Sequence, residues 1–181
     1  MRGSSLKINR PTEENKWFIF NPQQIGFYRV NYDDNNWYLL INYLESEGYE
    51  KIAAVNRAQL LDDVLNLAQA GVLKYSTALE LTQYMEKEAD YIPWYSALNA
   101  FSFLNLRLTG TDIYPLFQEY LWKLIQNVYE ELAFEESDAD SHVTQLHCSL
   151  IIQWACNLEH EHCIETAKQK FSTVYNGIMN N

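Results

Sequence analysis

The chain has 181 residues, of which 48% are apolar, 14% aromatic and 20% charged, the material of one ordinary domain or two small ones. That composition excludes disorder over most of the length. Thirteen basic residues against 24 acidic ones leave a formal net charge of -11. A surface tracking nucleic-acid phosphates would have to work against that field, so nucleic acid is not expected as a partner.

In chain order, residues 17–20 (Trp-Phe-Ile-Phe) and 26–32 (Gly-Phe-Tyr-Arg-Val-Asn-Tyr) are rich in aromatic and β-branched side chains around Asn21-Pro22-Gln23-Gln24. They read as two short strands, which alone are marginal in water and would belong to a larger sheet. Asp33-Asp34-Asn35-Asn36 then offers N-cap oxygens. From there the period becomes helical. Trp37, Leu40, Ile41 and Leu44 fall on one helix face before Gly48, and residues 52–70 carry the longest clean pattern, closed by Gly71. Thr77 with Glu80 forms a capping-box signature for a helix to about residue 89. Pro93 and Pro115 suit the first turns of helices over 94–108 and to about residue 132. An acidic loop with Glu135, Glu136, Asp138 and Asp140 follows, then helices over 143–157 and from 164 to about 175. Seven helices on short turns predict a mainly α fold of stacked helical hairpins, α-solenoid-like in the manner of HEAT or armadillo arrays, preceded by two strands.

Targeting and redox signals are sparse. No apolar run follows Arg2, Lys7 and Arg10 as a secretory signal requires, and no stretch approaches the roughly 18 apolar residues of a membrane span. An export signal, if the protein works outside the cell, is expected elsewhere. Cys148, Cys156 and Cys163 read either as three buried thiols or as a Cys156–Cys163 pair across a helix–helix turn. That pair would add about 2–3 kcal/mol.

No catalytic constellation stands out. His160-Glu161-His162-Cys163 lacks the i, i+4 histidine spacing of H-E-x-x-H, although in a turn His160, His162 and Cys163 could share a metal. There is no G-x-S-x-G elbow, and the glycines never group into a phosphate loop. Arg57, Asp62 and Asp63 form the charge group of interest. On a helix Arg57 and Asp62 point apart, so these charges either anchor helix to helix or meet a substrate. Glu86, Glu88, Asp90, Tyr91 and Trp94 read as a solvated edge beside core aromatics.

Several of these stretches together resemble a known family. Trp17 and Asn21, then residues 26–33 (Gly-Phe-Tyr-Arg-Val-Asn-Tyr-Asp), then Asn36-Trp37, are similar to the segment by which M1 zinc aminopeptidases leave a small β-sandwich and enter their C-terminal helical domain. Residues 56–63 (Asn-Arg-Ala-Gln-Leu-Leu-Asp-Asp) and 88–94 (Glu-Ala-Asp-Tyr-Ile-Pro-Trp) resemble the next helix and the E-x-D-Y-x-P-W turn of that family. The likeness is nearest to insect gut aminopeptidases N, exported enzymes often held to the membrane by a lipid anchor.

The resemblance implies that residues 1–35 close a β-sandwich domain and residues 36–181 begin the helical domain. It implies a disulfide between Cys156 and Cys163, with no counterpart for Cys148. It also implies a parent enzyme that removes N-terminal amino acids from peptides with a zinc ion. Neither H-E-x-x-H nor G-x-M-E-N occurs here, so no catalytic or metal residue is carried over and no cofactor is expected in this chain. Expected partners are the upstream catalytic and β-sandwich domains, peptide substrate along the chamber wall, and toxin or other protein ligands, at the cell surface. The alternative is a non-catalytic helical binding or receptor module. Either way, the orphan strands should expose an apolar edge and promote self-association.

Overall fold

A computed structural model describes residues 16–132 and 141–179. Seven α-helices lie among them: α1 (Asp34–Glu45), α2 (Ala54–Gln69), α3 (Tyr75–Thr82), α4 (Tyr91–Leu108), α5 (Tyr114–Leu132), α6 (His142–Asn157) and α7 (Glu161–Met179). Single tight turns at Tyr49–Lys51 and Gln83–Lys87 link α1 to α2 and α3 to α4. The acidic loop over 135–140 lies outside the described residues.

The helix ends follow local chemistry. Asp33 caps α1 by accepting the Asn36 N–H at 2.7 Å. Gly71, at φ 70, ends α2 in the left-handed region, where a side chain would be strained. The next two amides, of Val72 and Leu73, turn back to the Leu67 carbonyl at 3.0 and 3.2 Å. This tight closure lets α3 begin at Tyr75, so the expected Thr77 capping box does not form and Thr77 lies inside the helix. Ser141 caps α6 through the Thr144 N–H at 3.1 Å.

α2 is the central element. It packs chiefly on α4 and α3, α5 lies against the Gln83–Lys87 turn and α6, and α6 also meets α4 and α7. Trp37, Leu40, Leu44, Leu60, Leu61, Leu81, Trp94, Leu98 and Phe101 are almost wholly buried where these helices meet. The core continues into the second half through Phe117, Leu121, Leu124, Ile125 and Ile151. α7 leaves Phe171, Val174, Tyr175 and Ile178 exposed along one stripe.

The two strands expected over 17–20 and 26–32 do not form: no strand occurs among the described residues. The segment runs extended around a tight turn at Pro22–Gln24, and side chains satisfy its backbone in place of a neighbouring strand. The Asn36 amide brackets Phe18, accepting its N–H at 3.0 Å and donating to its carbonyl at 2.9 Å. Tyr32 accepts the Phe20 N–H at 3.0 Å, and Asn56 accepts that of Gln23 at 2.6 Å. The aromatic residues that mimic a strand pattern instead pack as rings, with Phe18 against Phe20 and Tyr32, and Tyr32 against Trp37.

Candidate functional site

Two polar sites converge on α2. The first is built around Arg57, which is 2% exposed in the middle of the packed core. Its Nε and Nη2 donate to the two Glu88 carboxylate oxygens at 2.7 and 2.9 Å, a forked pairing that only the planar guanidinium provides. Nη2 also donates to Asp90 at 2.6 Å and Nη1 to the Ile52 carbonyl at 2.6 Å. The Tyr49 ring lies 5.2 Å from the guanidinium carbon. Burial alone would lower the Arg57 pKa, but hydrogen-bonded Glu88 and Asp90 more than offset it and raise the pKa above its ordinary value. Arg57 is a fixed cation.

This arrangement corrects the reading of residues 86–94 as a solvated edge. The Glu88 side chain is fully enclosed, because Arg57, 31 residues away, supplies the counter-charge that makes its burial tolerable. The Glu88 Oε1 also accepts the Asp90 N–H at 2.9 Å, and its carbonyl accepts the Trp94 indole N–H at 2.8 Å. Asp90 occupies the N-cap position of α4 without capping it, since its carboxylate is committed to Arg57. The Tyr84 hydroxyl is buried beside this node without a hydrogen-bond partner, and burial followed by the Glu88 charge pushes its pKa well above the usual phenol range.

The second site faces the extended segment. Asp62 accepts Arg29 Nη2 at 2.9 Å and the Asn66 amide at 2.8 Å, while Asp63, 3% exposed, accepts the Val30 N–H at 3.2 Å. Burial pushes the Asp63 carboxyl up to about 6; the Val30 bond opposes the rise and the neighbouring Asp62 charge adds to it. The Gln59 amide donates to the Phe20 carbonyl at 3.1 Å. A cleft of about 310 Å³ opens here between residues 21–29 and α2. Asn21, Gln23 and Gln24 hold φ values of 57, 60 and 53 at its rim, a cluster of left-handed residues.

The structure therefore brings Asp62 and Asp63 together at one site and places Arg57 at the other. Glu88 was read from sequence as part of a solvated edge, and neither Gln59 nor the buried His147 was put forward as a site residue. The E-x-D spacing beside a buried arginine was the one available signal for Glu88. His147 packs against the Tyr91 ring, and burial pushes its imidazole down to about 4, with the Asp90 charge opposing.

The third cluster is closed by chemistry. Cys156 and Cys163 form a disulfide joining the end of α6 to the start of α7, and Cys148 is buried outside that pair, its Sγ 3.9 Å from the Leu132 carbonyl. With its sulfur bonded, Cys163 does not act as a thiolate ligand, which overturns the His160–His162–Cys163 metal reading. His160 stacks on Trp122 at 3.7 Å, and His162 Nδ1 pairs with the Tyr129 hydroxyl at 2.9 Å. Among the described residues no group of three or more His, Cys, Asp or Glu is arranged to hold a metal, so these residues do not fit a zinc centre. Among them, too, no helix is long and apolar enough to cross a membrane.

Residues 17–181 match the family described as the ERAP1-like C-terminal domain. The chain is 46% identical over 153 residues to an aminopeptidase N of Plutella xylostella, covering 84% of this chain and 16% of that protein. It is 37% identical to a membrane alanyl aminopeptidase of Manduca sexta over 98% of this chain and 18% of that protein. A glutamyl aminopeptidase of Bitis rhinoceros is 33% identical over 97% of this chain and 18% of its own length. The chain thus spans less than a fifth of these relatives.

Proposed function

The chain belongs to the ERAP1-like C-terminal domain family, and from that premise we propose that it is part of an M1 zinc aminopeptidase that removes N-terminal amino acids from peptides. The carrying observation is 37% identity to a membrane alanyl aminopeptidase along 98% of this chain. In this reading the zinc, its ligands and the catalytic base belong to an upstream catalytic domain. The present segment walls the substrate chamber and is inactive alone.

The geometry supports a scaffold role for Arg57. Its hydrogen bonds to Glu88, Asp90 and Ile52 fix the start of α4 relative to α2. Of these groups only Asp90 reaches solvent appreciably, with its side chain 60% exposed. Likeness to a membrane alanyl aminopeptidase supports a cell-surface location for the parent enzyme, whose catalytic and β-sandwich domains would be the partners of this segment.

The test compares this chain with the longer polypeptide that contains it, using aminoacyl-coumarin substrates. The longer polypeptide should release coumarin, lose activity to a zinc chelator and regain it with zinc, while this chain alone stays silent. Hydrolysis by this chain alone, or no chelator-sensitive activity in the longer form, overturns the reading.

A further inference from the structure

The cleft beside Asp63 holds an acceptor that the described residues leave unused. Gln59 is 2% exposed, and while its amide N–H is spent on Phe20, its Oε1 is buried without a partner. A buried acceptor without a donor is destabilising, and it marks the place where a donor from outside fits. Asp63 lines the same cleft, where it accepts a long backbone bond from Val30 at 3.2 Å and is steadied weakly by the Gln59 side chain and the Arg29 charge. The one cation lining the cleft, Arg29, is already engaged by Asp62 at 2.9 Å. Among the described residues the cleft thus keeps a carboxylate with no ion-pair partner of its own and one unpartnered amide oxygen, and both accept N–H donors.

The rim narrows the choice of cation. Phe27 and Tyr28 line the cleft and are exposed, Phe27 completely, and Ile25 beside them is 86% exposed. Aromatic faces and an apolar border suit an organic cation on an aliphatic stem. A hard metal ion would want several free carboxylates and carbonyls, whereas Asn21 Oδ1 is occupied by the Gly26 N–H at 2.7 Å and Asp62 by Arg29. A volume of about 310 Å³ has room for one long basic side chain.

We propose that this cleft is a socket for an arginine or lysine side chain presented by the upstream part of the same polypeptide, seated against Ile25, Phe27 and Tyr28. This rests on the proposed function above. The choice of occupant follows from the charge complementarity of an acidic chain, from relatives that extend far beyond this segment, and from the apolar border that continues outward from the socket.

The experiment titrates the 181-residue chain with a fluorescent Leu-Arg-Leu peptide and with its norleucine analogue, followed by anisotropy. The arginine peptide should bind saturably and at least tenfold more tightly, and guanidinium chloride should displace it at concentrations where calcium chloride does not. Asp63→Asn, checked for folding by circular dichroism, should abolish the preference. Tyr28→Ala, at an exposed rim position, should weaken the arginine peptide at least threefold. Equal binding of the two peptides, or displacement by calcium at equal concentration, overturns the socket. In the longer polypeptide the socket should be filled and the peptide should not bind; undiminished binding there overturns the upstream occupant. Coumarin release tests the aminopeptidase reading separately, so the two fail independently.

Discussion

Replacing Asp63 by Asn should unmask a pH dependence that the native chain conceals. Asp63 is held at about 6 against an ordinary 3.8, so the folded state keeps its proton longer than the unfolded state does. Stability from this group is therefore greatest below pH 3.8 and declines as pH rises to about 6, a total of about 3 kcal/mol at about 1.4 kcal/mol per unit. His147 acts with the opposite sign. Its pKa is lowered from 6.5 to about 4, so stability is greatest above 6.5 and is lost as pH falls to about 4, by a similar amount. His160, lowered first by burial and then by His162, adds to the His147 direction. Between pH 4 and 6 the two main slopes nearly cancel. Urea unfolding followed by far-ultraviolet circular dichroism should give a shallow profile for the native chain. Asp63→Asn should steepen it to about 1.4 kcal/mol gained per unit from pH 4 to 6, with a net stabilisation at pH 7 of up to about 3 kcal/mol. His147→Gln should tilt the profile the other way. A profile for Asp63→Asn that stays as shallow as the native one refutes the assignment of opposing groups.

Arg57→Met leaves the enclosed Glu88 without its counter-charge and should destabilise by about 3–5 kcal/mol in the same assay. Adding Glu88→Leu should recover most of that loss, and no recovery would mean that Arg57 acts through packing. Cys156→Ser with Cys163→Ser opens a short loop and should lower stability by about 2–3 kcal/mol, read as a melting temperature lower by roughly 5–10 °C. The exposed Ile25, Phe27 and Tyr28 patch and the Phe171, Val174, Tyr175 and Ile178 stripe should make the chain self-associate. Light scattering should show mass rising with concentration and a smaller rise for Phe27→Ser with Phe171→Ser; a constant monomer mass contradicts the expectation.

The helices were legible because burial on one face imposes a 3.6-residue period whatever the neighbours are. Trp37, Leu40, Ile41 and Leu44, all inward in α1, carry that period without ambiguity. The extended segment was misread for a reason the same logic explains. Aromatic and β-branched composition reports a half-buried, extended backbone but not who satisfies its amides. Here Asn36, Tyr32, Asn56, Gln59 and Asp63 do so, from positions remote in sequence. Glu88 was hidden for a related reason: a carboxylate among acidic and aromatic residues looks solvated until its arginine is located. The spacing of Cys156 and Cys163 left free thiols and a disulfide both open, and only likeness to the family separated them.

The polar residues of α2 divide by direction, and the division explains why one helix carries so many. Asn56, Gln59, Asp62 and Asp63 face the extended segment, whereas Arg57 faces the turn before α4. Apolar contacts tolerate sliding, since their strength depends on area and not direction. Forked ion pairs and amide brackets do not, because their strength falls steeply with angle and distance. α2 is thus bonded with fixed geometry both to residues 20–30 and to the start of α4, while Leu60, Leu61, Val64 and Leu65 supply the non-directional adhesion. α2 is therefore a strut that holds residues 20–30 and the first turn of α4 in one fixed relation. The chain keeps a costly buried arginine and a destabilising buried aspartate at the two positions where that strut is fastened.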